Sequence, residues 1–228
     1  VLGDIDLTDG ENNKYTFGTT DNTIIRPQIT DPEKRIYFDG YIDFNGYSLI
    51  HDSDNNNREI FGIIGENAII ENLVFKIKLN TDTELSKYFG LVRTNYGTIR
   101  NVDVELEECK NLPNQNIILL GYHNYGILEN FIIHLNVPLY GARILTAGFY
   151  RNFGTIQNGY LYGENIKSEF EILAGQTKEI APLNITNNGK INNVYSLISV
   201  DLGEQQNITK NVSNIILTND LNASVSNI

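Results

Sequence analysis

Three histidines, one cysteine and a short pair of acids are the side chains in this sequence best suited to chemistry. His51, His123 and His134 could ligate a metal or carry a proton, but none has an acidic or histidine partner at ligand spacing. H-E-x-x-H, which holds zinc between two imidazoles one helical turn apart, is absent. All three histidines are expected at solvent-facing loop or strand positions. Cys109 stands alone, so no internal disulfide can form. Asp52-Ser53-Asp54-Asn55-Asn56-Asn57 resembles the start of a calcium loop. However, Asn57 stands where the loop needs glycine and Ile63 where it needs glutamate, so a solvated polar turn is the simpler expectation. Asp103 and Glu105 share one strand face, as an acidic pair working on a glycosidic bond would. One repeat earlier stand Lys76 and Lys78, and pairing of opposite charges across strands accounts for the acids without catalysis. Gly-x-Ser-x-Gly, a phosphate loop and a dinucleotide fingerprint are missing too. No catalytic residue, cofactor site or metal site is therefore expected.

The elements that would position any site are set by a repeat. Asn95-Tyr96-Gly97-Thr98-Ile99-Arg100-Asn101 returns as Asn124-Tyr125-Gly126-Ile127-Leu128-Glu129-Asn130 and as Asn152-Phe153-Gly154-Thr155-Ile156-Gln157-Asn158. It returns again as Asn187-Asn188-Gly189-Lys190-Ile191-Asn192-Asn193, and Glu66-Asn67-Ala68-Ile69-Ile70-Glu71-Asn72 is a degenerate early copy. The closing asparagines fall at 72, 101, 130, 158 and 193, so the period is 28–29 residues with one longer interval of 35. That length fits one coil of a β-solenoid and is too short for a propeller blade. After each closing Asn the residues alternate, Leu73, Phe75, Ile77 and Leu79 against Val74, Lys76 and Lys78, which is strand periodicity with one side facing a core. The predicted fold is all-β: a right-handed parallel β-helix spanning 1–228 as one domain. Residues 1–60 form initial coils, 61–200 the repeats and 201–228 worn final coils.

Stacked coils bring equivalent positions into columns about 4.8 Å apart. Ile70, Ile99, Leu128, Ile156 and Ile191 should form an interior aliphatic ladder. Gly97, Gly126, Gly154 and Gly189 are expected to mark a turn needing positive φ, and the closing asparagines to form a buried or half-buried amide ladder. On the outer side, the second and fourth positions after each closing Asn change from charged to aromatic along the chain. Ile132, His134, Tyr160, Tyr162, Tyr195 and Leu197 should form one apolar patch, which a monomer seldom leaves bare. The insertion Glu164–Pro182, which lengthens that repeat, is expected to fold over the patch; left uncovered, the patch would be a partner-binding surface.

The unit Phe89-Gly90-Leu91-Val92, followed by Asn95-Tyr96-Gly97-Thr98-Ile99-Arg100-Asn101-Val102, resembles the GLUG motif of bacterial surface proteins. That motif recurs in streptococcal immunoglobulin A protease-type zinc metallopeptidases and in many adhesin-like proteins. The resemblance covers roughly residues 1–200. It departs from the motif before Asn187, where Pro182 and Leu183 replace the glycine kept at Gly62, Gly90, Gly121 and Gly148. It implies an extracellular or secreted, non-catalytic module of a bacterial cell-surface protein, a spacer or adhesin-like domain. Two alternatives stand beside it: an accessory domain of such a metallopeptidase whose catalytic part lies outside 1–228, and a carbohydrate-active β-helix or phage tailspike piece.

Composition narrows the partners. With 17 Lys and Arg against 28 Asp and Glu the net charge is −11, and no basic cluster rises above that background, which argues against nucleic acid and anionic lipid. No apolar run approaches the roughly 18–20 residues that span a bilayer, so membrane insertion is not expected. The remaining candidates are a host protein, a glycan and neighbouring domains of the same chain. The chain opens without Met and stops within an apolar pattern, as a fragment of a longer protein would.

Overall fold

Leu73, Phe75, Ile77 and Leu79 are buried and the residues between them half-buried, so the two-residue periodicity of the sequence is realised as a strand, Ile69–Leu79, with one face inward. The computed structural model describes residues 1–6, 38–53, 59–80, 89–110, 116–141, 143–168, 178–203, 210–213, 215–219 and 223–227. Among these there is no helix. Every strand pairing is parallel and joins one coil to the next, the pattern of a β-solenoid.

The longest face carries nine strands, among them Ser48–Asp52, Ile69–Leu79, Thr98–Cys109, Ile127–Leu135, Thr155–Gly163 and Lys190–Ser196. A second face of six strands includes Gly90–Asn95, Gly121–Asn124, Phe149–Asn152 and Asn184–Asn187. Smaller sheets of four and three strands complete the later coils, the latter from Leu139–Tyr140, Ile166–Lys167 and Val200–Asp201. Register across the long face is that of the repeat: Ile70, Ile99, Leu128, Ile156 and Ile191 lie in line, each fully buried. Burying an aliphatic side chain of this size contributes about 1.5–3 kcal/mol.

The corner between the second and long faces differs from expectation in two respects. Gly97, Gly126, Gly154 and Gly189 are not the positive-φ residues; the closing asparagines are, with φ of 56° at Asn72, 53° at Asn101 and Asn130, 55° at Asn158 and 51° at Asn193. Glycine is required there for space instead. A Cβ on Gly126 would sit 2.0 Å from the Gly97 carbonyl oxygen, and one on Gly154 2.1 Å from that of Gly126, because successive corners nest backbone on backbone.

The closing asparagines also lie at the surface: Asn101, Asn130, Asn158 and Asn193 are exposed and Asn72 is half-buried. They do form the expected ladder. Asn101 Nδ2 donates to Asn72 Oδ1 at 3.0 Å, Asn130 to Asn101 at 3.3 Å, Asn158 to Asn130 and Asn193 to Asn158 at 3.2 Å. The buried amide ladder is built from the opening asparagines. Asn95, Asn124 and Asn152 each donate at 2.8 Å to the next member, and Asn187 donates at 2.7 Å to Asn219. Ile64 occupies this register one coil before Asn95, so Asn95 Oδ1 begins the ladder without a donor.

His51 departs from its expected exposed position. It takes an inward place on Ser48–Asp52 and is fully buried, stacked on Phe89 at 4.7 Å and near Phe75 at 6.1 Å. The described ends of the insertion enter the coil wall: Ile166–Lys167 pairs with Leu139–Tyr140, and Lys178–Ile180 with Ile144–Thr146. Buried Lys178 Nζ donates to the Ser168 carbonyl at 2.8 Å and to its hydroxyl at 2.9 Å, clamping the two ends together.

Candidate functional site

On the outer side of the long face, Val74, Asp103, Ile132, Tyr160 and Tyr195 form one column across five coils. Lys76, Glu105, His134 and Tyr162 form the column beside it. The expected patch is therefore assembled. His134 stacks on Tyr162 at 4.3 Å, and Tyr160 lies 5.4 Å from Tyr162 along its own strand. Leu197, just past the strand end, donates its N–H to the Leu161 carbonyl at 2.8 Å. Ile132 is 39% exposed, Tyr160 40%, Tyr195 54% and Leu197 70%, whereas His134 and Tyr162 are half-buried. The described residues of the insertion lie in the coil wall; residues 169–177 are outside the described ones.

Toward the start of the chain the column passes from Ile132 through Asp103 to Val74, beside a shallow groove. The groove, of about 490 Å3, is lined by Asn72, Asn101 and Asn130 of the exposed amide ladder and by Leu73, Val74, Val102, Asp103 and Ile132. Cross-strand charge pairing is realised for only part of the acidic run. Lys76 Nζ lies 3.6 Å from Glu105 and 3.3 Å from Glu107, and Lys78 Nζ lies 3.2 Å from Glu108. Asp103 is left out because its neighbours in register are Val74 and Ile132, neither of which can donate. Its Oδ1 is buried and has no hydrogen-bond partner among the described residues. Burial pushes the Asp103 carboxyl above the usual aspartate range. The charge of Glu105 adds to that, against the opposing pull of His134 and Lys76.

The other chemistry-bearing groups are held by structure. Glu71 accepts from the Tyr41 hydroxyl and from Arg100 Nε, and these two bonds, the tyrosine's foremost, hold its carboxyl below the usual range. Cys109 is mostly buried, and burial pushes its thiol up to about 11 although the Tyr140 N–H donates to Sγ at 3.4 Å. His123 is half-buried on the second face, its imidazole pushed down by burial first and then by Arg151 and Arg93. No group of three potential metal ligands exists among the described residues. Of the calcium-like run, only Asp52 and Ser53 are described.

One surface was not anticipated from sequence. The middle residues of the corner motif, Tyr96, Tyr125 and Phe153, stack at 5.0 and 4.7 Å with interplanar angles of 13° and 6°. Tyr122 and Tyr150 stack at 4.9 Å on the second face, with the Arg151 guanidinium 5.2 Å from the Tyr150 ring centre. The signal was present as an aromatic between the opening Asn and the Gly of three repeats. Rings in such a stack cover one another's faces and present mainly edges to solvent. Compared with family models, curated proteins and solved structures, the chain matches none.

Proposed function

We propose that the chain is a non-catalytic β-solenoid module of a bacterial surface protein, extracellular or secreted, which spaces neighbouring domains and binds a host protein or glycan through the outer side of its long face. The observation that carries this is the exposed column Ile132, Tyr160 and Tyr195, continued by Leu197, on a rigid parallel sheet. Tyrosines give large contact area at small entropic cost, and an apolar patch of this extent is a common mark of an interaction site. The GLUG-like units support placement at a bacterial surface, and the acidity of the chain supports a partner other than nucleic acid. A non-catalytic role is supported by how the described acids are used. Glu71, Glu105, Glu107 and Glu108 are tied into bonds or ion pairs, and Asp103, which is not, sits between Val74 and Ile132 with no second acid in register.

The test is capture from serum and mucosal protein and on a glycan array, comparing wild type with Tyr160→Ser/Tyr162→Ser. Wild type should retain a partner that the variant loses. Equal capture by both, or none by either, would make the patch structural and the module a spacer.

A further inference from the structure

The outer side of the second face carries basic side chains and rings in a grid, unlike the charge-paired start of the long face. On the long face Lys76 lies in register with Glu105 and pairs with it. On the second face His123 lies in register between Thr94 and Arg151, and Arg151 between His123 and Thr186, so neither basic side chain has an acid as register neighbour. Arg93, Tyr122 and Tyr150 fill the adjoining column. Burial first, and then Arg151 and Arg93, push the His123 imidazole down, so the two guanidiniums make the field over the grid positive. Glu179 borders the grid at one point, where it accepts from the Tyr150 hydroxyl at 3.4 Å. Solvent reaches these groups: Arg151 is exposed, and Arg93, His123, Tyr122 and Tyr150 are half-buried.

Tyr122 and Tyr150 stack along their column, so they turn mainly ring edges outward. Ring edges carry the positive end of the aromatic quadrupole, and rings beside an ion pair displace water and strengthen it. Guanidiniums and ring edges together favour a negatively charged oxygen acceptor of carboxylate geometry. The extent of the grid selects among anions. Arg93 and Arg151 stand two coil steps apart, each step about 4.8 Å. Around them lies the rest of a chain whose net charge is −11. A long polyanion would run off the grid onto acidic surface, whereas two or three carboxylates on a short segment would not. We propose that the outer side of the second face docks a short acidic segment of a partner protein, with Arg151 and Arg93 pairing its carboxylates and the ring edges of Tyr122 and Tyr150 flanking them. This site is separate from the long-face surface and stands whether or not that surface binds.

The experiment titrates the 228-residue chain into the labelled peptide Ser-Glu-Ser-Glu-Ser-Glu at low salt, read by fluorescence anisotropy. Ser-Gln-Ser-Gln-Ser-Gln is the neutral arm and a heparin disaccharide of similar charge the saccharide arm. Arg151→Gln removes an exposed charge and keeps a long side chain, and its melting temperature verifies the fold. The acidic peptide should bind and the neutral one should not. Arg151→Gln should weaken binding about threefold to tenfold, as loss of one partly exposed charge-assisted bond implies, and Arg151→Glu should abolish it. Tyr160→Ser/Tyr195→Ser should bind as wild type does. No binding of the acidic peptide, equal binding of the neutral one, tighter binding of the disaccharide, or unchanged affinity in Arg151→Glu would overturn the assignment. Loss in Tyr160→Ser/Tyr195→Ser instead would also overturn it and move the peptide to the long face. A dimer in sedimentation that Arg151→Glu dissociates, with no peptide bound by wild type, would give the grid to a second copy of the chain and overturn it as well.

Discussion

Asp103 and Cys109 show how the solenoid sets the chemistry of single residues. Asp103 has its carboxyl raised, so the folded state favours the protonated acid. The stability tied to that preference is present below the unfolded aspartate pKa of about 3.9 and is lost as pH rises through the folded value. Asp103→Asn should therefore be as stable as wild type near pH 3.5 and more stable near pH 7. The gain should stay under about 1 kcal/mol, because the group is partly solvated. Denaturant midpoints at the two pH values measure it, and a variant less stable at pH 7 would mean that the carboxylate is paired. Cys109, with its thiol raised to about 11, holds almost no thiolate at pH 8. Alkylation by iodoacetamide should accordingly be far slower in the folded chain than in denaturant; equal rates would show the thiol to be open.

Asn184 is a third case, buried with neither side-chain oxygen nor nitrogen bonded among the described residues. It opens an N-x-T sequence that folding closes to modification. Asn184→Leu should stabilise the chain by relieving an unmet amide, by about 1–3 kcal/mol less whatever strain the larger side chain adds. A loss in melting temperature would contradict this.

The corner explains what the sequence could and could not reveal at the level of elements. Coil length, strand pairing and the interior columns were legible because each repeat places the same residue type in the same column, and the register so fixed lines up the outer positions whatever their type. The roles within Asn-x-Gly-x-x-x-Asn were not, since both Gly and Asn tolerate a left-handed backbone and only the stacking of coils shows which residue takes it. The buried amide ladder was hidden for a related reason. Two consecutive outward residues, Tyr122-His123 or Tyr150-Arg151, precede the opening asparagine and break the alternation that would have marked it as inward. Two variants separate the ladders. Asn130→Gly keeps the left-handed corner and should cost less than Asn130→Ala, which adds about 1 kcal/mol of backbone strain. Asn124→Ala should cost more than either, because it leaves Asn95 and Asn152 short of partners inside the core. Midpoints in the reverse order would mean that the exposed ladder carries the corner.

Across the whole molecule, the long face is rigid inside and varied outside. Its interior is continuous aliphatic packing, so Ile156→Asp should destabilise by several kcal/mol through an unpaired buried carboxylate. Its outer side runs from paired charges through a largely apolar groove to exposed tyrosines. Two aromatic surfaces compete for a partner: this column, and the corner stack of Tyr96, Tyr125 and Phe153. The column offers ring surface next to a groove, whereas the corner rings cover one another.

The most direct measurement is partner capture by two matched double variants, Tyr160→Ser/Tyr195→Ser on the long face and Tyr125→Ser/Phe153→Ser at the corner, each checked for an unchanged strand signature by circular dichroism. Capture should be lost in the long-face variant and kept in the corner variant. Capture kept in the long-face variant and lost at the corner would contradict the assignment of the long face as the binding surface.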